Sequence, residues 1–173
     1  MHYTQTISSP LGNILLSADE VGLTGLWFDG GRYYADTLPE EHVERETPIL
    51  MDTKRWLDVY FTGREPDFTP LLHPTGSAFR MTIWRLLLQI PYGQTTTYGE
   101  LAKRLECGRM SAQAVGGAVG HNPISIIVPC HRVVGTNGSL TGYAGGLDRK
   151  IRLLEIEKKD MTGLFRPTKG KAL

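Results

Sequence analysis

The sequence predicts a mixed α/β (α+β) fold in two units: a small N-terminal sheet-plus-helix domain, residues 1–75, and a helical C-terminal domain, residues 76–173. Three observations carry this. Short apolar or β-branched runs fill the chain up to Phe28, and helical apolar spacing begins at Phe79. Between them lies a segment, 64–76, punctuated by Pro66, Pro70 and Pro74, which reads as a linker. The charge also breaks there. Residues 1–75 hold five Lys/Arg against twelve Asp/Glu, a balance of −7; residues 76–173 hold fourteen against six, a balance of +8. The net +1 conceals either an acidic half facing solvent and a basic half facing a polyanion, or ordinary surface charge.

The predicted strands are 5–9, 13–17 and Leu23–Phe28, separated by Pro10-Leu11-Gly12 and Asp19-Glu20-Val21-Gly22, both turn-like. A helix follows with Thr47 as N-cap and Pro48 in its first position; it turns Leu50, Leu57 and Phe61 inward and stops at Gly63. In the second unit, Phe79, Ile83, Leu86, Leu87 and Ile90 form one apolar stripe, ended by Pro91-Tyr92-Gly93. Thr97-Tyr98-Gly99-Glu100 is a capping box for a short helix that runs to about Glu106 and is closed by Cys107-Gly108. Ser111 then caps a further helix, 112–120.

Several classes are excluded. No stretch approaches the roughly 18 apolar residues of a spanning helix. The N-terminal Met1-His2-Tyr3-Thr4-Gln5 has neither a basic nor an apolar leader region, so no signal peptide is expected. Cys107 and Cys130 are too few for a disulfide framework, and reduced thiols point to a cytoplasmic protein. The scattered His2, His42, His73, His121 and His131 lack the ligand spacing of a structural zinc site, so no metal and no cofactor are expected.

Short helix, glycine-containing turn, short helix is the layout of a helix-turn-helix, whose second helix enters a groove of DNA. The second helix here, Ala112-Gln113-Ala114-Val115-Gly116-Gly117-Ala118-Val119-Gly120, holds three glycines, each costing about 1 kcal/mol relative to Ala. It lacks the array of Arg and Asn that reads base edges in the major groove. Such a smooth helix suits the minor groove, with one side chain as a wedge, or else packs closely against a neighbouring helix.

The apolar run Ile126-Ile127-Val128 leads through Pro129 into Cys130-His131-Arg132. A thiol becomes a nucleophile beside a cation or a base, and both follow Cys130 directly; Cys107 fits a plain core residue. In a helix over 147–159, Glu157 has Leu153 and Leu154 as neighbours, so its carboxylate points inward to orient His131, or else it pairs at the surface with Lys158, Lys150 or Arg149. A His131–Glu157 pair is expected to lower the Cys130 pKa below the ~8.5 of a free thiol.

Pro129-Cys130-His131-Arg132-Val133 resembles the active-site motif of the O6-alkylguanine-DNA alkyltransferases, the methylated-DNA–protein-cysteine methyltransferase family. In the same order, so do Tyr98-Gly99-Glu100-Leu101-Ala102, Ala114-Val115-Gly116-Gly117-Ala118, Asn122-Pro123, Gly142-Tyr143-Ala144-Gly145-Gly146 and Leu153-Leu154-Glu155-Ile156-Glu157. A weaker match runs from Ser9-Pro10-Leu11-Gly12 through Leu26-Trp27-Phe28. The resemblance implies a ribonuclease-H-like N-terminal domain and a winged-helix-like C-terminal one. It implies a monomer that binds double-stranded DNA through the minor groove and repairs O6-alkylguanine, and O4-alkylthymine, by irreversible transfer of the alkyl group to its own Cys130.

By the same resemblance, His131 takes the thiol proton through a water, Glu157 orients His131, and Asn122 braces the turn before the cysteine segment. Tyr98 helps rotate the nucleotide out and supports guanine as leaving group. Tyr143 and Ala144 close over the flipped base, and the Val133 carbonyl meets the guanine amino group. Ser111, Ala112, Gln113, Ala114, Gly116, Gly117 and Arg132 are expected to contact DNA. Gln113 stands where the family commonly carries an arginine that fills the gap left by the flipped base, and the zinc ligands of some members are missing. Two other readings remain, a Cys-His hydrolase or transamidase and a helix-turn-helix regulator with Cys130 as sensor.

Overall fold

The computed structural model describes residues 1–105 and 112–168. The N-terminal unit is a four-stranded sheet in the order β3-β2-β1-β4, with β1 His2–Ile7, β2 Ile14–Ala18, β3 Leu23–Phe28 and β4 His42–Glu44. β1, β2 and β3 form an antiparallel meander, and β4 joins β1 in parallel. The short, fully exposed β4 has no apolar run, which is why no strand was expected there. The first two strands also shift from the expected 5–9 and 13–17, because pairing register rather than local composition sets their ends.

Helix α1, Pro48–Tyr60, packs on this sheet. The Thr47 hydroxyl accepts from the Leu50 amide, and Leu50, Trp56, Leu57 and Tyr60 are buried. Phe61 caps the helix and is only partly buried.

β3 is buried along its whole length, and other segments cover its free edge. Leu23 donates to the Leu71 carbonyl at 2.7 Å and accepts from the His73 amide at 2.7 Å. Leu26 donates to Pro123 at 2.8 Å and accepts from Ser125 at 3.0 Å. The interdomain linker and the segment before Cys130 therefore dock on the edge strand, leaving little of it open to another chain.

The C-terminal unit is built from α2 Ala78–Leu87, α3 Tyr98–Lys103, α4 Ala112–Gly120 and α5 Leu147–Ile156. A two-stranded parallel ladder, β5 Thr96–Thr97 with β6 Val133–Val134, joins the start of α3 to the residues after Cys130. Thr97 caps α3 by accepting from the Glu100 amide at 3.0 Å, while the Glu100 carboxylate turns to Lys103. The Trp84 indole donates to the Ala118 carbonyl at 2.9 Å and fixes α2 against α4. One apolar cluster runs from the sheet through α1 and α2 to α4 and Leu153. Cys107 and Ser111 lie outside the described residues. Among the described residues, no helix is long and apolar enough to cross a membrane, and no three His, Cys, Asp or Glu are grouped to hold a metal ion.

Candidate active site

The loop from α4 to Cys130 is organised by one side chain. The Asn122 amide donates to the Val128 carbonyl at 2.8 Å and the Ile124 carbonyl at 3.2 Å, and its oxygen accepts from the Ile124 amide at 3.0 Å. Ile126, β-branched, is held at φ 70°, a left-handed conformation costing about 1–3 kcal/mol. That strain persists because the Asn122 bonds and the pairing of 123–125 with Leu26 fix the backbone on both sides. The segment ends in a single 3-10 turn, Cys130–Arg132.

Cys130 is 5% exposed and His131 is fully buried. Glu157, the residue capping the C-terminus of α5, is 3% exposed and gathers five donors. Its Oε2 accepts from His131 Nε2 at 2.5 Å, from the Tyr60 hydroxyl at 2.6 Å and from Arg132 Nη2 at 3.2 Å. Its Oε1 accepts from Arg132 Nε at 2.8 Å and from the Gly93 amide at 3.0 Å. Burial alone would raise the carboxyl pKa. The bonds and charges of His131 and Arg132 outweigh it and hold the group at about 2.

Burial lowers the His131 pKa, against the pull of Glu157, so the imidazole is neutral. With Glu157 ionised, Nε2 carries the proton and Nδ1 is the free basic atom; Nδ1 is buried and has no hydrogen-bond partner.

Two expectations change here. Arg132, expected at the DNA surface, is 8% exposed and spends its guanidinium on Glu157 and on the Ile90 carbonyl at 2.7 Å. It is the counter-charge of a buried carboxylate. The Cys130 pKa is raised, because burial outweighs the Asn122 amide, the Lys150 charge and the Cys130 and His131 amides, all of which favour the thiolate. The resting group is therefore a protonated thiol that needs a base.

Lys150 was considered in the sequence only as a surface partner for Glu157. It is fully buried, with Nζ donating to the Val133 carbonyl at 2.6 Å and the Thr141 carbonyl at 2.9 Å; burial lowers its pKa to about 8. Its position three and four residues before Leu153 and Leu154, on the same helical face, was the available signal. Tyr60 and Gly93 had no signal, since nothing in a sequence links them to residue 157.

Beside the thiol opens a cleft of about 640 Å³, lined by Arg32, Tyr33, Tyr98, Gly116, Gly117 and Tyr143 among others. Cys130 does not line it but lies next to two residues that do, since a Cys130 charge raises the pKa of both Tyr98 and Tyr143, after burial. The Tyr98 hydroxyl donates to the Thr141 carbonyl at 3.2 Å, at the start of the loop that carries Tyr143 and Ala144. That loop is tight. A Cβ on Gly145 would lie 2.6 Å from the Tyr143 ring and 3.0 Å from Phe28. On α4, Gln113, Ala112 and Ala114 are exposed. A Cβ on Gly116 would touch the Tyr98 ring at 3.8 Å, whereas Gly117 and Gly120 face open space.

The chain thus joins a small sheet domain to a helical domain and sets a buried cysteine, followed by a His131–Glu157 pair, near a cleft lined largely by glycines. The description "6-O-methylguanine DNA methyltransferase, ribonuclease-like domain" matches residues 1–73, and "6-O-methylguanine DNA methyltransferase, DNA binding domain" matches residues 78–159. The chain belongs to the 6-O-methylguanine DNA methyltransferase family. It is 46% identical over 155 residues to the methylated-DNA–protein-cysteine methyltransferase of Methanosarcina acetivorans, covering 90% of this chain and 97% of that one. The Haemophilus influenzae protein of the same name is 41% identical over 159 residues, covering 91% and 87%. Among solved structures, Mycobacterium tuberculosis OGT in complex with DNA superposes with a TM-score of 0.80 at 39% identity, covering 94% of this chain and 99% of that one.

Proposed function

We propose that this chain repairs O6-alkylated guanine in DNA by moving the alkyl group onto Cys130, once per molecule. The observation that carries the reading is the relay itself: a thiol kept protonated by burial, followed by a neutral imidazole whose second nitrogen is held by an ionised carboxylate. His131 Nδ1 takes the thiol proton through a water, and the imidazolium is stabilised by Glu157. The thiolate attacks the alkyl carbon in line as its bond to O6 breaks, and the electron pair passes to guanine. The imidazolium proton then returns through solvent to the guanine ring, which leaves as ordinary guanine. We assign the Tyr98 hydroxyl to donate to the departing base, in exchange for its bond to Thr141, and the Val133 carbonyl to accept from the guanine amino group. The product is a thioether, whose carbon–sulfur bond is stable to water, so the thiol is not regenerated.

The alkyl carbon is inaccessible inside a duplex, so the nucleotide enters the cleft flipped out, with Tyr143 and Ala144 closing on it. The open glycine face of α4 favours the minor groove, with Gln113 as the wedge and Ala112, Ala114, Gly116 and Gly117 against the sugar–phosphate walls. O4-alkylthymine offers the same bond to the same thiolate. We place the activity in a monomer in the cytoplasm, where the thiol stays reduced.

With excess alkylated duplex, transfer stops near one group per protein, and Cys130→Ser abolishes it. Alkyl found by mass spectrometry on any other residue, or sustained turnover, overturns the mechanism. Turnover would favour the hydrolase reading, and binding without transfer the regulator.

A further inference from the structure

The acidic N-terminal domain enters the cleft at one place, the segment after β3. The Arg32 amide donates to the Ala144 carbonyl at 2.7 Å, so the segment is bonded to the loop that carries Tyr143. Tyr33 follows in a left-handed conformation, φ 59°, and its ring stacks on His121 at 4.0 Å. His121 is itself fixed to the end of α4, with amide and ring nitrogen both directed at the Gly117 carbonyl. A strained, partly exposed tyrosine locked to the DNA-facing helix marks a built position.

What it holds up is charge. The Arg32 guanidinium lies 5.6 Å from the centre of the Tyr33 ring, and among the described residues it has no carboxylate partner, although its domain carries a balance of −7. Among the described residues lining the cleft, Arg32 alone carries a permanent positive charge, and α4 carries none. Arg132, buried against Glu157, lines no part of the cleft. A planar fork of donors, unpaired and supported at a cleft mouth, matches a phosphodiester.

We propose that Arg32, propped by the Tyr33–His121 stack, grips a backbone phosphate of the alkylated strand beside the flipped-out nucleotide. The assignment rests on the function proposed above. It makes the N-terminal domain part of the DNA-binding surface.

The test compares full-length Cys130→Ser protein with the same protein also carrying Arg32→Ala, on duplex containing O6-methylguanine, so that binding is read without transfer. Each lost phosphate contact lowers the slope of log affinity against log salt by about 0.9, which is about eightfold in affinity at 0.1 M salt. Arg32→Lys restores the slope. In duplexes with single neutral methylphosphonates, one position near the lesion weakens the parent by a similar factor and leaves Arg32→Ala unaffected. An unchanged slope in Arg32→Ala, a Lys variant that does not restore it, or no phosphate position whose effect disappears in Arg32→Ala overturns the assignment. Residual transfer by Cys130→Ser would instead overturn the function it rests on.

Discussion

Replacing Glu157 by Gln removes one charge from a group that accepts from five donors. One of the two oxygens becomes an NH2. Arg132 Nε and the Gly93 amide are obligatory donors, so the amide turns its oxygen to them and its NH2 to Tyr60 and His131, leaving Arg132 Nη2 without its acceptor. His131 must then accept at Nε2, which moves its own proton to Nδ1 and occupies the atom that receives the thiol proton. A tautomer forced the wrong way has a cost on the order of 10⁴ in rate in serine proteases, and a loss of that order is expected in alkyl transfer. Arg132 is left as a buried cation with a neutral partner, which costs about 3–5 kcal/mol, or roughly 6–20 °C in Tm for a chain of this size. Affinity for DNA, measured well below the lowered Tm, is expected to change little, because residue 157 is buried and all its partners are internal. Single-turnover transfer kinetics, thermal unfolding and duplex binding on the same preparation test this. A folded Gln variant that transfers within tenfold of the parent refutes the tautomer argument. Equal losses in binding and transfer would make Glu157 purely structural.

Acid should act in two stages. Because the His131 pKa lies below the ordinary 6.5, the base is intact at neutral pH, and the transfer rate stays level between about pH 7 and 6.5 and falls only below that range; an apparent pKa at or above 6.5 contradicts a buried neutral imidazole. Glu157, lowered from 4.5 to about 2, contributes about 3 kcal/mol of stability that is fully present above pH 4.5 and is lost as pH falls toward 2; denaturant titrations across that window should flatten in Glu157→Gln. On α4, Gln113→Arg is expected to tighten duplex binding and steepen its salt slope by up to about one, while Gln113→Ala slows transfer from duplex more than from the free base. Parent-rate transfer from duplex by Gln113→Ala would reduce Gln113 to an ordinary surface residue.

Periodicity and caps made α1, α2 and the start of α3 legible, because the Thr47 and Thr97 caps and the apolar stripe from Phe79 act within one or two turns; the Ser77 cap of α2 went unread. β4 was not, since its pairing with β1 is decided by a distant strand and its residues face solvent. The motif around Cys130 drew attention to His131 and Glu157 and left their company hidden. Arg132 looked like a surface cation because charge is visible in a sequence and burial is not. Its role follows from Tyr60, Gly93 and Glu157 converging from three separate elements. The thiol pKa was misjudged for the same reason: neighbouring charges could be listed, but the desolvation that outweighs them depends on packing.

Because both the linker and the segment before Cys130 borrow their hydrogen bonds from β3, the boundary between the two units is a seam within one core. Separating them would strip Pro123 and Ser125 of their backbone partner, Leu26, and release the strain held at Ile126. The two halves are therefore expected to melt in a single cooperative transition. A protein nicked in the linker should stay associated and active, whereas the C-terminal half prepared alone should lose the geometry of its own nucleophile.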